Sequence, residues 1–155
     1  MKMKSKVSTI IEVIACLLIM LFVYASISKV RDMEQFRIQL GQSPLVTAYA
    51  YPLSYGVPAV EVLISVLLVI PRFRPVGLYG SFSLMILFTF YIIAILQLDR
   101  NIPCSCGGIL ESMGWTEHLI FNIIFTLLAM TGVLLQPSAE AKLSNERTKI
   151  LPAGD

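Results

Sequence analysis

The chain has 155 residues, of which 56% are hydrophobic and 14% are charged, and its mean hydropathy is +0.77. This composition excludes a soluble domain, and a net charge of +2 with no basic stripe interleaved with aromatic residues excludes nucleic acid as a partner. The composition therefore predicts an integral membrane protein in contact with membrane lipid.

Four apolar segments follow one another along the chain, each close to the roughly 20 residues that a helix needs to cross the hydrocarbon core. They cover residues 7–27, 53–70, 76–98 and 116–135. Backbone groups cannot stay unpaired in lipid, and the segments lack the alternation of barrel strands, so each is predicted to be a helix. The predicted fold is an all-α integral membrane protein, a four-transmembrane-helix bundle that forms one domain over residues 1–136.

The first segment has a second interpretation, because three of the first six residues are lysines, as in a cleavable signal peptide. Its apolar run is longer than the roughly 7–15 residues of a signal-peptide core. Ala25 and Ser26 also offer no convincing cleavage site. We therefore interpret the segment as a transmembrane helix.

The distribution of Lys and Arg predicts the orientation, since these residues accumulate in cytoplasmic loops. With the N-terminus inside, the inner segments hold Lys2, Lys4, Lys6, Arg72, Arg74, Lys142, Arg147 and Lys149, and the outer segments hold Lys29, Arg31, Arg37 and Arg100. The prediction is a multi-pass protein of a bacterial inner membrane with cytoplasmic N- and C-termini and two extracytoplasmic loops. The polar residues 137–155 are predicted to form a disordered cytoplasmic tail.

The first outer connection is long enough to contain a short helix of its own. An amphipathic pattern over residues 33–40, ended by Gly41, predicts that helix. Its Phe36 and Leu40 are expected either to lie on the membrane surface or to cap the bundle.

The second outer loop carries two cysteines separated by one residue, Cys104 and Cys106, followed by Gly107 and Gly108. Disulfides form and persist on the outer side of a bacterial inner membrane. A bridge between thiols this close closes a small, strained ring, and strained exposed disulfides tend to be labile or catalytic. The alternative, a structural staple, gains little because the loop it closes is so short. The loop therefore predicts dithiol/disulfide chemistry on the periplasmic side.

His118, the one histidine of the chain, stands twelve residues after Cys106 at the outer start of the fourth span. An imidazolium near a thiol favours the reactive thiolate, so Cys104, Cys106 and His118 are the candidate catalytic residues. The same three side chains form an alternative copper(I) site, since that ion accepts few, soft ligands. A structural zinc site is disfavoured, because it normally takes four ligands at spacings that the loop lacks. An interfacial polar role for His118 also remains open.

Glu61 lies within the second span, about 12 Å below its outer boundary at ~1.5 Å per residue, where an ionisable side chain is costly and usually functional. Lys29 at the outer end of the first span can reach toward it, which predicts an ion pair beneath the cysteine loop. Proton delivery during disulfide exchange is the alternative role of Glu61. Asn122, one turn after His118 on the same helical face, is a third supporting residue. Cys16, on the inner half of the first span, is predicted to serve packing.

Several of these residues together resemble a known family. They are Tyr24-Ala-Ser-Ile-Ser-Lys29, Phe36, Pro58, Glu61, Ile102-Pro-Cys-Ser-Cys-Gly-Gly108, Trp115, His118 and Asn122. Over most of residues 8–136 the chain resembles the MauE/DoxX-like redox-associated membrane proteins, in the form seen in Bacteroidota. Its loop has Cys-Ser-Cys-Gly-Gly where other members have Cys-x-Cys-Phe-Gly.

The resemblance implies a four-helix membrane fold and a thiol-redox or maturation role. MauE is associated with processing, transport or maturation of the small subunit of methylamine dehydrogenase, which is rich in disulfides, and DoxX relatives are linked to thiosulfate:quinone oxidoreductase subunits. The predicted function is thus a thiol-disulfide oxidoreductase that passes electrons between an exported client, or a thioredoxin-like partner, and a membrane acceptor such as a quinone. Copper(I) binding or transfer, and a non-catalytic membrane subunit, are the alternatives.

Overall fold

The computed structural model describes the backbone of residues 2–42, 46–98 and 115–150, and the side chains of residues 6–41, 46–97 and 116–136. In these ranges every regular element is helical, with short turns at residues 32, 46 and 70–73, which confirms the predicted all-α class. The elements are α1 (Lys2–Arg31), α2 (Met33–Gln42), a 3-10 turn (Thr47–Tyr49), α3 (Ala50–Val69), α4 (Arg74–Leu98) and α5 (Trp115–Ile150).

Four stretches of helix are long and apolar enough to cross a membrane. They are Lys6–Arg31, Thr47–Val69, Arg74–Gln97 and Thr116–Gln136. Each overlaps one of the four predicted spans, so the prediction of four transmembrane helices is confirmed. The orientation of the bundle in the membrane stays a prediction.

Helix α5 continues to Ile150, through a segment for which the sequence predicted a disordered tail. The residues after Pro137 include Ala139, Glu140, Ala141, Lys142 and Leu143, which all have high helix propensity. Low hydrophobicity predicted disorder, whereas the propensity of these residues favours continuing the helix that precedes them. The backbone of residues 137–150 therefore differs from the prediction.

The short helix α2 confirms the amphipathic segment predicted in the first outer connection. It packs on α3, with Leu40 buried and Phe36 half-buried. Of the two expected placements of these side chains, capping the bundle is the one observed.

The four long helices form a ring in which α1 packs on α3, α3 on α4, α4 on α5 and α5 on α1. The apolar core is concentrated at the end where α1 and α4 begin, which we call the packed half. Its buried side chains include Ile11, Ile14, Leu18, Leu68, Leu78 and Ala129.

Two glycines allow the helices of the packed half to approach closely. A Cβ on Gly77 would lie 2.9 Å from the backbone nitrogen of Leu68, and a Cβ on Gly132 would lie 3.0 Å from Cδ2 of Leu78. The Gly77 contact requires glycine, because the backbone of Leu68 cannot yield, whereas at Gly132 the end of the Leu78 side chain would have to shift by a few tenths of an ångström. Small residues at helix contacts are the usual means of close packing in a membrane, where no hydrophobic driving force brings helices together.

Candidate functional site: a polar cavity in the bundle

The other half of the bundle, where α1 and α4 end and α3 and α5 begin, encloses a cavity of about 600 Å³. We call this the cavity half. The polar residues that line the cavity are Lys29, Glu61, Tyr91, His118 and Asn122. The rest of the lining is almost entirely apolar and includes Phe22, Phe36, Val60, Met85, Leu87 and Phe88.

Helical periodicity explains how four helices present side chains to one space. Residues three, four or seven apart share a helix face, as Ala25 and Lys29 do on α1 and His118 and Asn122 do on α5. On α4 the same face carries Phe88 and, three residues on, Tyr91. The spacing therefore groups the lining residues of a helix on one face, and assembly of the ring brings these faces to one cavity.

Lys29 and Glu61 form an ion pair across the interface of α1 and α3. The distance from Lys29 Nζ to Glu61 Oε1 is 2.7 Å, and the two side chains are 13% and 0% exposed. A buried carboxylate is strongly unfavourable without a charged or hydrogen-bonding partner, and Lys29 supplies both kinds of interaction. The structure thus contains the ion pair predicted from the sequence.

The ammonium group of Lys29 also contacts two aromatic rings. Its Nζ lies 5.8 Å from the ring centroid of Phe36 on α2 and 5.6 Å from that of Phe88 on α4. These distances are typical of cation–π interactions, which compensate part of the loss of hydration. A single lysine from α1 thereby interacts with α2, α3 and α4.

Asn122 and His118 extend the polar wall of the cavity onto α5. Asn122 Nδ2 donates a hydrogen bond to the backbone carbonyl of His118 at 3.1 Å. Within the described part of the chain, three buried side-chain atoms of this wall have no hydrogen-bond partner: Glu61 Oε2, His118 Nδ1 and Asn122 Oδ1. Buried polar atoms are nearly always paired in folded proteins, so this cluster is an exception that calls for an explanation.

Hydroxyl groups support the polar wall from the side of the packed half. Thr126 Oγ1 donates to the carbonyl of Asn122 at 2.7 Å and lies 3.3 Å from Thr89 Oγ1, which donates to the carbonyl of Met85 at 2.8 Å. These contacts join α4 and α5 one turn from Asn122. The sequence analysis missed both threonines, although the spacing of Asn122 and Thr126 was a signal for a polar face.

Helices α1 and α3 are joined by a second polar contact near the ion pair. Ser26 Oγ donates to the carbonyl of Pro58 at 3.2 Å, and Ser65 Oγ donates to the carbonyl of Glu61 at 2.9 Å. Proline has no N–H, so Pro58 cannot donate the usual helical hydrogen bond to the carbonyl of Ser54. The Ser26 hydroxyl bonds to the carbonyl of Pro58 itself and thereby joins α1 to α3 at this position. Both serines were likewise missed from sequence.

Of the six predicted site residues, the structure brings four together at one cavity, namely Lys29, Glu61, His118 and Asn122. The remaining two, Cys104 and Cys106, lie outside the described residues, so the catalytic and copper(I) assignments that include them stay predictions. Across the described ranges, no group of three or more His, Cys, Asp or Glu side chains could hold a metal ion.

Cys16 differs from its prediction. The sequence suggested a packing role, whereas the structure places its side chain on the exposed surface of the bundle. Residues 14 and 15 take the inward positions of this turn of α1, because only part of a helix face can point to the core. Cys16 is therefore a membrane-facing thiol that does not line the cavity.

Comparison with protein families gives a match over most of the chain. The family model described as methylamine utilisation protein MauE matches residues 7–135 of the 155. Neither a curated protein nor a solved structure matches the chain. The matched region includes all the residues that line the cavity.

Proposed function

This chain belongs to the MauE family of bacterial, methylamine-utilisation-associated membrane proteins, and from that premise we propose that it is a membrane-embedded thiol-redox factor. Its task is the disulfide maturation of an exported protein, such as the small subunit of methylamine dehydrogenase. The observation that carries the proposal is the polar cavity, because it lies at the same end of the bundle as the connection that contains Cys104 and Cys106.

The chain topology supports this assignment. The connection begins after Leu98, where α4 ends, and it returns to Trp115, where α5 begins. Both ends belong to the cavity half, and His118 is in the first turn of α5. A chain extends by at most ~3.6 Å per residue, so the nine residues from Cys106 to Trp115 span no more than about 32 Å. That tether keeps the thiols within reach of the cavity and of a partner on the same side of the membrane.

Thiol-disulfide exchange accounts for the paired cysteines with a balanced reaction. A client thiolate attacks one sulfur of the Cys104–Cys106 disulfide and forms a mixed disulfide, and the other sulfur leaves as a thiolate. A second client thiolate then attacks the client sulfur of the mixed disulfide. The client gains one S–S bond, and Cys104 and Cys106 become thiols that carry the two electrons and two protons.

Charge in the cavity favours this chemistry. Thiolates, and not thiols, are the nucleophiles in exchange, and positive charge nearby increases their population. Lys29 is a buried cation of the cavity wall, and His118 becomes a cation on protonation. In this proposal His118 receives the proton of the attacking thiol, and Lys29 stabilises negative charge at the polar wall of the cavity.

The compartment belongs to the same proposal. We place the cysteine loop on the periplasmic side of the inner membrane, because disulfides persist there and the distribution of Lys and Arg favours that orientation. An exported client meets the loop on that side. The protein thus acts after translocation of the client.

Single cysteine substitutions test the proposal. Cys104→Ser and Cys106→Ser should each abolish maturation of the client in cells while leaving the amount of membrane-inserted protein unchanged, because neither cysteine lies within the four spans predicted from the sequence. A variant that keeps one of the two cysteines should accumulate a mixed disulfide with the oxidised client on a non-reducing gel, because its lone thiolate attacks the client disulfide in the reverse of the exchange above and no second cysteine releases it. The matched control is Cys16→Ser, which removes an exposed thiol that does not line the cavity and should leave maturation intact.

A second measurement separates thiol exchange from the alternatives. Mass spectrometry after thiol trapping, with and without reductant, should reveal a reversible two-electron couple between Cys104 and Cys106. His118→Ala should slow exchange more at neutral pH than at about pH 9, where thiols ionise unaided. Full maturation by both single cysteine variants would exclude thiol exchange, and stoichiometric bound copper(I) with inert thiols would favour the metal alternative.

A further inference from the structure

We propose that the cavity binds an isoprenoid quinone, with its ring against Lys29, Glu61, His118 and Asn122, as the two-electron acceptor for the cysteine pair. The inference deepens the proposed function, on which its redox part rests. The binding site itself is argued from the cavity alone. Three features carry it: where the cavity opens, which polar atoms it leaves unpaired, and how those atoms are distributed.

The cavity opens toward the lipid-facing surface of the bundle. Val60 on α3 and Leu87 on α4 line it and are at the same time 42% and 64% exposed. Gly56, one turn before Val60, is also both lining and exposed. The opening thus lies between α3 and α4 within the apolar span, and its rim consists of apolar residues. A ligand that enters there comes from the hydrocarbon phase and is itself largely apolar.

The unpaired polar atoms require more than a hydrocarbon. Among the described residues, Glu61 Oε2, Asn122 Oδ1 and His118 Nδ1 have no hydrogen-bond partner, and Glu61 and Asn122 are buried. A lipid acyl chain in the cavity would leave all three atoms unpaired, which is unfavourable in a low-dielectric site. The occupant therefore carries hydrogen-bonding groups at the end that meets these residues.

The mixture of donors and acceptors fits a quinone and its reduced form. Oxidised ring carbonyls accept hydrogen bonds, which Lys29 and protonated His118 donate. Reduced ring hydroxyls donate hydrogen bonds, which Glu61 Oε2 and Asn122 Oδ1 accept. The rings of Phe36 and Phe88 beside the Lys29 ammonium provide apolar faces for a planar aromatic ligand.

Size and shape agree with this ligand. A volume of about 600 Å³ lies within the roughly 300–1,000 Å³ that small-molecule sites occupy in proteins. The polar residues form one wall, and the remaining lining is apolar up to the opening. A ring therefore fits against the polar wall, and the isoprenoid tail extends between α3 and α4 into the lipid.

The redox step balances without a further reactant. The thiols of Cys104 and Cys106 lose two electrons and two protons as their S–S bond forms and two S–H bonds break. The electrons and protons reduce the two ring carbonyls to hydroxyls, with two new O–H bonds. The regenerated disulfide is then ready to oxidise the next client dithiol.

Binding can be measured on the full chain through its one tryptophan, Trp115, at the start of α5 and three residues from His118. The probes are ubiquinone and menaquinone with a single isoprene unit, added to the purified protein in lipid nanodiscs. Quinones quench tryptophan fluorescence at short range. We expect saturable quenching by at least one of the two probes.

Two variants and a control make the measurement specific. Asn122→Leu removes a hydrogen-bonding group from the polar wall and should raise the Kd roughly tenfold, the equivalent of one buried hydrogen bond. Gly56→Phe fills the opening at a position where a Cβ meets nothing within 4 Å, so it should weaken binding without disturbing the fold. The control Thr131→Val removes an exposed hydroxyl from the same helix, two turns away, and should leave the Kd unchanged.

The cysteine variants separate this inference from the proposed function. The double variant Cys104→Ser, Cys106→Ser should bind the quinone with unchanged Kd but should no longer reduce it. Binding without any effect of the cysteines on client maturation would retain the site and refute the redox role. Three results would overturn the quinone site. The quenching could fail to saturate, it could be unaffected by both Asn122→Leu and Gly56→Phe, or it could be blocked by a phospholipid that is bound stoichiometrically and cannot be displaced.

Discussion

The two halves of the bundle differ in how the space between the four helices is filled. In the packed half, apolar side chains and close glycine contacts fill the space between the helices. In the cavity half, the same four helices leave about 600 Å³ open and line it with a buried ion pair. The difference indicates that the side-chain contacts of the packed half stabilise the fold and compensate for the contacts that are missing around the cavity.

Two ion pairs illustrate the same contrast at the level of single residues. Glu61 is fully buried and lies 2.7 Å from Lys29, whereas Glu12 in the packed half is 60% exposed and lies 3.9 Å from Arg74. A buried charge that loses its partner is strongly destabilising, but an exposed pair contributes little. Identical charge types in one chain are therefore expected to have very different effects when they are removed.

The largest expected effect is in thiol labelling of intact spheroplasts, because a cysteine is labelled only if its half of the bundle faces the periplasm. In a Cys16→Ser background, a membrane-impermeant thiol reagent applied to spheroplasts after mild reduction should label Cys104 and Cys106. The matched control places a single cysteine at the other end, Arg72→Cys in a chain without the three native cysteines, and should be labelled only after membrane disruption. The reverse pattern would overturn the orientation and, with it, the oxidising environment of the loop.

The next largest effect is expected for the buried ion pair. Glu61→Ala leaves Lys29 as an unpaired buried cation and should lower the free energy of unfolding by about 3–5 kcal/mol, measured by reversible denaturation in mixed micelles. Lys29→Ala should be similarly damaging. The double substitution should recover part of the loss, because it leaves no unpaired charge. Strictly additive losses would show that the two charges do not stabilise each other.

A smaller effect on stability is expected when one glycine in each half is replaced by alanine. Gly77→Ala places a Cβ against the backbone of Leu68 and should lower the free energy of unfolding by about 1–3 kcal/mol, because the packed half has no room for it. Gly56→Ala is the matched change in the cavity half, where a Cβ meets nothing within 4 Å. It should be neutral or stabilising by up to about 1 kcal/mol, since alanine is the better helix former. Equal losses at both positions would contradict the proposed division into a packed and an open half.

The smallest effect is expected for the exposed ion pair. Glu12→Ala should change the free energy of unfolding by less than about 0.5 kcal/mol. Glu12 lies only six residues from the inner end of its span, so its side chain can reach interfacial water, where exposed ion pairs are weak. The same denaturation measurement used for Glu61→Ala provides the comparison. A loss of stability as large as that of Glu61→Ala would indicate that Glu12 is buried in a contact with another copy of the protein.

Much of the cavity wall was predictable because membrane insertion limits the choices. An ionisable residue inside an apolar span requires a partner, and Lys29 was the basic residue at the matching depth for Glu61. His118 and Asn122 followed from helical spacing at the start of the last span. Four polar residues were not predicted as part of the site. Ser26, Ser65, Thr89 and Thr126 have hydroxyl side chains that bond to backbone carbonyls of their own or a neighbouring helix. Serine and threonine are common in membrane helices, so residue type alone did not identify these positions as part of the site.

The sequence by itself determined the membrane class, the four spans and the amphipathic α2, because hydrophobic length and periodicity depend on local residue order. Only the tertiary structure decided that Cys16 faces outward, that α2 caps the bundle, and that Lys29, Glu61, His118 and Asn122 share one cavity. These outcomes depend on how each helix is rotated about its axis and on which neighbours it meets. In a span that is apolar on all sides, no sequence pattern fixes that rotation, and close packing around residues such as Gly77 and Gly132 does.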